Sequence, residues 1–285
     1  MGLTVLKCGG SQAIKLGEVC ADVARLRAAG GQVVVVHGGA GDMERLARQL
    51  GVRCRRLVSP LGFASRYTDT AMLDVLMLAM TGRAKPRLLM ALTAAGVSAV
   101  GLTGLDAGLL RAVRKKARRA MQDGRTTVVR GDHSGRIVAV DPSVLQILLN
   151  AGLTPVVSPP ATGENGAPLN VDADRVAAAV ATALRADYLL SLTAAPGVLR
   201  DADDESSVLE RYQLPDDGDV GFAASDGMYR KLIAAYEALR GGVPQVRVAD
   251  GRTRRPVYAA LRGAGTAVVM RAAGTAVVMP GAAPS

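Results

Sequence analysis

The sequence predicts an α/β fold built on a mostly parallel sheet, as one large domain or as two lobes sharing that sheet. Three observations predict it. Short apolar, β-branched runs alternate with segments of helical period, the βαβ signature of parallel strands. Two of those runs end in glycine turns, Lys7-Cys-Gly-Gly-Ser11 and His37-Gly-Gly-Ala-Gly41, where backbone N–H groups can face an anion because no Cβ blocks the approach. Finally, 285 residues that are 49% hydrophobic supply enough apolar material for a large core. Ala, Val and Leu must fill it, because aromatics make up only 3%.

Residues 3–8 and 32–37 read as strands, and 13–29 and 42–50 as the helices that follow them. Helices come next at 69–81 and 85–95, then a strand at 98–102, a helix at 142–151 and a strand at 154–158. Gly96 and Gly152 stand where two of these helices should stop. Between 109 and 140 the helical period fails, and β-prone pieces at 126–129 and 137–140 flank glycine turns, which predicts hairpins projecting from the sheet. The chain resumes with a helix at 172–184, a strand at 187–192, an acidic mobile loop over 201–219, a helix at 228–240 and a strand at 245–249. The repeat Ala264-Gly-Thr-Ala-Val-Val-Met270 and Ala273-Gly-Thr-Ala-Val-Val-Met279 offers one copy as a last strand. A single duplication is too short for a solenoid, so the other copy reads as a redundant tail.

Composition excludes several classes. Cys8, Cys20 and Cys54 lack zinc spacing and the chain has two histidines, so no metal site is expected and a reducing compartment fits. No apolar run approaches the roughly 18 residues that span a bilayer, and the start lacks a basic leader. The expectation is a cytoplasmic protein with no membrane partner. Gly2 is discounted as a lipid acceptor because Leu6 stands where Ser or Thr is required. The net charge of +10 is uneven: residues 1–136 hold 22 Lys and Arg against 9 Asp and Glu, whereas 137–285 hold 13 against 16. Within 111–136 there are nine basic and two acidic residues, so one segment supplies most of the excess.

Four pieces could carry chemistry. Lys7 beside Gly9 and Gly10 sets an ammonium next to exposed amides, an arrangement that neutralises phosphate oxygens, although no full GxxxxGK[ST] loop occurs. The His37-Gly38-Gly39 turn opens a helix, so its amides and the helix N-terminus converge on one anion; His37 itself reads as structural. Asn170, Asp172 and Asp174 would share a side if their segment is extended, though capping alone explains one of them. Gly227-Met-Tyr-Arg-Lys231 places Arg230 and Lys231 in a first helical turn, where a solvated face is an equal reading.

Taken together with Gly101-Leu-Thr-Gly-Leu-Asp106, these pieces make the chain resemble the amino acid kinase family over about residues 3–270. The likeness is to its N-acetylglutamate kinase branch. Ser65-Arg-Tyr-Thr-Asp69 and Arg130-Gly-Asp-His-Ser-Gly135 look most like the subgroup that acts on LysW-type amino-group carrier proteins. The resemblance implies a three-layer αβα sandwich with a mostly parallel central sheet in two lobes. Residues 1–170 would form the acyl-substrate lobe, including a basic hairpin region at about 109–140, residues 171–270 the nucleotide-binding lobe, and 271–285 a tail. It also implies ATP and Mg²⁺ as cofactors and phosphorylation of the side-chain carboxylate of 2-aminoadipate or glutamate carried on a small acidic protein. Carried over by position, Lys7 and Lys231 stabilise the transferring phosphoryl group, Asp174 holds both lysines, and Gly9, Gly10 and Lys231 meet ATP. Gly38 and Gly39 offer amides to phosphate or acceptor, Arg66 grips the substrate α-carboxylate, and Asn170 binds near the amide junction.

Two departures from the family pattern stand out. Ala194 replaces an Asp or Asn common in relatives. The long N-terminal helix of arginine-sensitive hexamers does not precede residue 3, so a homodimer is expected.

The basic segment separates the remaining readings. Free N-acetylglutamate is a dianion that one or two arginines can bind, so an N-acetylglutamate kinase gives no reason for the cluster. An acidic carrier docking on Lys115, Lys116, Arg118, Arg119 and Arg130 does. A nucleic-acid-binding protein could use the same arm on phosphates, but the arm has no aromatic residue to stack on bases and the phosphate cradle would stand idle.

Overall fold

Period-two alternation organises the centre of the computed structural model, which describes residues 2–271 apart from 61, 123–124, 216–219 and 221–224. In β1 (Leu3–Cys8) and β2 (Gln32–His37), Val5, Val34 and Val36 enter one core while Leu6, Cys8, Val33 and Val35 enter another. Both faces of these strands are therefore buried, as parallel sheets require. Helix α1 (Leu16–Ala28) connects them, and α2 (Ala40–Gln49) follows β2.

Next come β3 (Arg56–Val58) and β4 (Ala64–Arg66), a short hairpin, then α3 (Thr70–Ala79) and α4 (Lys85–Ala94). The helices predicted on either side of residue 82 are joined without a break by a π turn at Met80–Ala84. Asp69 caps α3 by accepting the Met72 amide at 2.9 Å, and α4 ends where Gly96 takes a φ of +79°. Strand β5 (Ala99–Gly104) leads to β6 (Leu110–Arg114), β7 (Arg118–Gln122), β8 (Arg125–Val129) and β9 (Gly135–Val140). Then follow α5 (Ser143–Asn150), β10 (Thr154–Thr162), β11 (Pro168–Leu169), α6 (Ala173–Ala183) and β12 (Tyr188–Thr193). The last elements are β13 (Arg211–Leu214), α7 (Asp226–Arg240), β14 (Gln245–Asp250), α8 (Pro256–Leu261) and β15 (Thr266–Met270).

The main sheet runs β13-β15-β14-β12-β1-β2-β10-β6-β9, with β5 and β11 also paired to β10. Strands β14, β12, β1, β2, β10 and β5 are all parallel. Helices α1, α4 and α8 cover one face through Val19, Val23, Leu88, Leu92 and Val257. Helices α5, α6 and α7 cover the other through Leu145, Val176, Val180, Leu232 and Ala235. The result is the three-layer αβα sandwich.

Two expectations need correction. The 109–140 region is only half a projecting hairpin: β6 and β9 pair antiparallel and extend the main sheet, because Leu110 and Ala112 are buried on it. Strands β7 and β8 instead join β3 and β4 in a separate four-stranded sheet. The 201–219 segment is not all loop, since β13 lies parallel to β15 with Leu214 fully buried. The first copy of the repeat forms β15; the second lies outside the described residues.

The layered core makes α4 a direct test of packing. Leu92 is fully buried and Met90, on the same helix, is 67% exposed. Leu92→Ala should cost about 2–5 kcal/mol in urea unfolding, whereas Met90→Ala should change stability by less than about 0.5 kcal/mol.

Candidate active site

Lys7 follows Val5 by two residues in β1, so the alternation that buries Val5 against α6 also turns Lys7 toward that layer. There it meets Asp174 in the first turn of α6. Lys7 Nζ lies 2.8 Å from Asp174 Oδ1, and Lys231 Nζ, from α7, lies 3.1 and 3.3 Å from the two carboxylate oxygens. Ser191 of β12, opposite Lys7 in the ladder, adds a hydroxyl at 3.4 Å. All three charged side chains are nearly buried, at 7%, 12% and 10% exposure for Lys7, Asp174 and Lys231.

Electrostatics follow from that arrangement. Burial would raise the Asp174 pKa, but the charges of Lys7 and then Lys231 pull it down to about 2. Burial also opposes the Lys7 ammonium, yet Asp174 outweighs it and holds Lys7 above its ordinary value. Lys231 is the weaker partner: burial first, and repulsion from Lys7 second, push it down to about 8. One carboxylate thus keeps two ammoniums close together.

Beside this group opens a cleft of about 380 Å³, lined by Lys7, Gly10, Gly38, Gly39, Arg66 and Asp174 among others. Close approach favours glycine at two of these positions. A Cβ on Gly39 would lie 2.8 Å from Met80 Cε of the π turn, and one on Gly10 would lie 3.3 Å from the Ala40 nitrogen. Gly39 caps α2 without a side-chain bond, so the first amides of that helix stay available to a ligand.

The opposite wall is cationic. Arg66 Nη2 lies 2.5 Å from Glu44 Oε1, and Arg118 reaches buried Asp132 at 2.7 Å and the Ser65 hydroxyl. Asp132 in turn accepts the Thr68 amide at 3.0 Å and the Ser134 hydroxyl at 2.9 Å. Asn170 Nδ2 donates to Thr68 Oγ1 at 2.9 Å. Lys115, Arg136, Arg175 and Arg230 complete the lining. Burial, then the charges of Arg118 and Arg175, lower the Lys115 pKa. This wall is fastened to α7: Phe63 stacks on Tyr229 with centroids 3.8 Å apart, the Ala64 amide donates to Asp226 at 3.2 Å, and Arg230 donates to the Ala64 carbonyl.

The structure brings Lys7, Gly10, Gly38, Gly39, Arg66, Asn170 and Asp174 to one cleft. Gly9 sits just outside it, its amide donating to the Leu192 carbonyl at 3.2 Å. Lys231 lies on the far side of Asp174, facing a small recess with Ser191 and Val248. Of the five residues expected to meet a carrier, Lys115 and Arg118 line the cleft, whereas Lys116, Arg119 and Arg130 are not among its lining residues. The 170–174 segment is extended only as far as Asp172, the N-cap of α6, which accepts the Asp174 and Arg175 amides; Asp174 already lies in the helix. Helix α7 begins at Asp226, capped by Ser225, so Lys231 falls in its second turn. Sequence reading passed over Arg136, Arg175 and Ser65 as cleft residues. Position in the basic segment was a usable signal for Arg136, and only the fold could supply one for Arg175.

Comparison with known proteins agrees with this geometry. The sequence model of the Amino acid kinase family matches residues 2–250. A LysW-aminoadipate kinase of Deinococcus radiodurans is 40% identical over 268 residues, covering 94% of this chain and 92% of the relative. An acetylglutamate kinase of Symbiobacterium thermophilum is 36% identical, covering 93% of this chain and 90% of its own length. Among solved structures, N-acetylglutamate synthase of Neisseria gonorrhoeae superposes with a TM-score of 0.75 at 24% identity. That match spans 95% of this chain but 60% of the synthase, and it speaks for the fold.

Removing the shared carboxylate should expose its structural weight. Asp174→Asn leaves two buried ammoniums without a counter-ion and should cost about 3–5 kcal/mol in urea unfolding, with Lys231→Met on that background recovering part of the loss. Because the folded Asp174 titrates below its ordinary value of 3.8, its stabilisation is complete above that pH and should drain away as pH falls toward about 2.

Proposed function

The chain belongs to the amino acid kinase family, and from that premise we propose that it transfers the γ-phosphoryl group of ATP to the side-chain carboxylate of 2-aminoadipate, or of glutamate, carried through its amino group on a small acidic LysW-type protein. The product is an acyl phosphate, a step in lysine or in arginine and ornithine biosynthesis. The proposal includes a cytoplasmic homodimer, with residues 1–170 presenting the acceptor and 171–270 the nucleotide.

The observation that carries the reading is a cleft with the Lys7–Asp174 pair on one side and Arg66, Arg118 and Arg136 on the other. The acceptor carboxylate is ionised at neutral pH, so attack needs alignment and charge neutralisation but no general base. Lys7 faces the cleft and meets the equatorial oxygens of the transferring group. Lys231 approaches from the nucleotide side, and Asp174 fixes the distance between the two cations. The Gly10, Gly38 and Gly39 amides serve phosphate and acceptor oxygens, while Arg66 binds the acceptor's α-carboxylate and Asn170 its amide junction. No cluster of three or more His, Cys, Asp or Glu that could hold a metal occurs among the described residues. Mg²⁺ would be held mainly by the nucleotide's own phosphate oxygens and would neutralise charge there.

Delivery on a carrier accounts for the cations outside the cleft. Lys116, Arg119 and Arg130 lie next to Lys115 and Arg118, which line it, so an acidic protein can lie on the former while its acylated end enters beside the latter. The rival is an N-acetylglutamate kinase using free substrate, favoured by the similarity to the Symbiobacterium enzyme.

ADP release with ATP and Mg²⁺ should be much faster with carrier-linked aminoadipate or glutamate than with free N-acetylglutamate; robust turnover of the free acid with no gain from the carrier contradicts the proposal. Lys116→Glu with Arg119→Glu should raise KM for the carrier substrate more than about tenfold, leave KM for ATP within about twofold, and weaken the salt dependence. With Lys231 pushed down to about 8, kcat/KM for ATP should fall above about pH 8, and Lys231→Arg should abolish that alkaline limb because guanidinium stays charged. A limb retained in the arginine variant would assign it to another group, such as Lys85.

A further inference from the structure

Three buried side-chain polar atoms lack a hydrogen-bond partner among the described residues, Thr154 Oγ1 and two that lie next to each other. Those two are His37 Nε2 and Ser158 Oγ. Their strands place them side by side. Val36 of β2 pairs with Val157 of β10, so His37 and Ser158 are the next residues along, and Ser158 pairs in turn with Thr103 of β5. Alternation puts His37 on the face of Val33 and Val35, and Ser158 on the face of Val156, in the core covered by α4. This is the face opposite Lys7. Lys85, the first residue of α4, packs its stem over β5, where a Cβ on Gly101 would lie 2.6 Å from Lys85 Cδ.

The other ring nitrogen is engaged. His37 Nδ1 lies 3.0 Å from the Gly38 carbonyl oxygen. A carbonyl only accepts, so Nδ1 carries the proton and Nε2 is bare. The Gly38–Gly39 peptide is trans and planar, so its C=O and N–H point in opposite directions. With the oxygen drawn toward the His37 ring on the α4 side, the Gly39 N–H turns toward the cleft that both glycines line. Two consecutive residues without Cβ atoms offer little resistance to a peptide flip, and the imidazole is the contact that opposes it.

We propose that His37 is a positioning residue for phosphoryl transfer: its Nδ1–H anchors the Gly38 carbonyl and so holds the Gly39 amide toward the transferring group. The anchor is independent of which acceptor is used; its catalytic consequence rests on the kinase reading. A neutral ring suits the role, and the surroundings enforce it. Burial first, then the charge of Lys85, press the His37 pKa down to about 4 against the bond to Gly38 and the charge of Asp42. The charged groups facing the ring are thus Lys85 from α4 and Asp42 from α2, with Asp106 beyond β5 acting on Lys85.

Long-range ¹H–¹⁵N NMR of the histidine-labelled protein reads the tautomer directly. The expected result is an Nδ1–H ring that does not titrate between about pH 5.5 and 9. An Nε2–H tautomer, or titration near the ordinary histidine value, overturns the proposal. In ADP-release assays with the carrier-linked acceptor, His37→Leu should lower kcat about 100-fold, the usual scale for losing one oxyanion donor, with KM for ATP within about twofold. His37→Asn, whose side-chain amide can donate near the place of Nδ1, should restore kcat to within about fivefold of wild type. Equal losses in both variants, or a change confined to KM for ATP, contradict it. If His37→Leu does not fold, the tautomer and the asparagine variant decide. The NMR result needs no substrate, so a wrong acceptor assignment is distinguishable from a wrong role for His37.

Discussion

One buried carboxylate between two ammoniums is the constraint on which the rest of the molecule depends. Lys7 Nζ and Lys231 Nζ cannot lie 2.8 and 3.1 Å from the same oxygen unless three elements are fixed relative to one another. β1 must point Lys7 at the α6 and α7 layer, α6 must begin immediately after its cap Asp172, and α7 must run alongside α6. The alanine-rich sequence of α6, with Ala177, Ala178 and Ala181 fully buried, permits that close packing. The cost of removing these charges from water is offset by their mutual attraction and by hydrogen bonds, a balance that holds only while all three are present.

That constraint also explains the division of labour across the sheet. The face carrying Lys7 bears the buried charge cluster, and the opposite face, under α1 and α4, holds the glycine turn from behind. The hairpin bearing Arg66 is not free to drift, because Phe63, Ala64 and Arg56 contact Tyr229, Asp226 and Arg230 at the start of the helix that carries Lys231. The wall that bears Arg66 and the helix that bears Lys231 are therefore mechanically joined. A shift of either one is felt by the other.

Much of this was legible in the sequence, for identifiable reasons. Buried parallel strands announce themselves as runs such as Val33-Val34-Val35-Val36, and the glycine turns after β1 and β2 mark where backbone must approach a ligand. Lys7, Asp174 and Lys231 came from motif resemblance, and the geometry places them in contact. What stayed hidden was set by tertiary context. The three-residue strands β3 and β4 are too short to show a period, β13 lies in an acidic stretch whose only fully buried strand residue is Leu214, and Gly82 and Pro86 read as a break between two helices that the π turn in fact joins. Arg118 was read as a surface charge because charge counting cannot see Asp132, which draws it inward.

The central claim is that Asp174 sets two cations to act on one transferring phosphoryl group, although Lys231 lies on the far side of that carboxylate from the main cleft. A structure of the protein with ADP, aluminium fluoride, Mg²⁺ and the carrier-linked acceptor tests it most directly. The account predicts both Lys7 Nζ and Lys231 Nζ within about 3 Å of fluoride ligands on the phosphoryl mimic, the range of a charge-assisted hydrogen bond. A complex in which Lys231 keeps its contacts to Asp174 and touches neither the mimic nor ADP would contradict it.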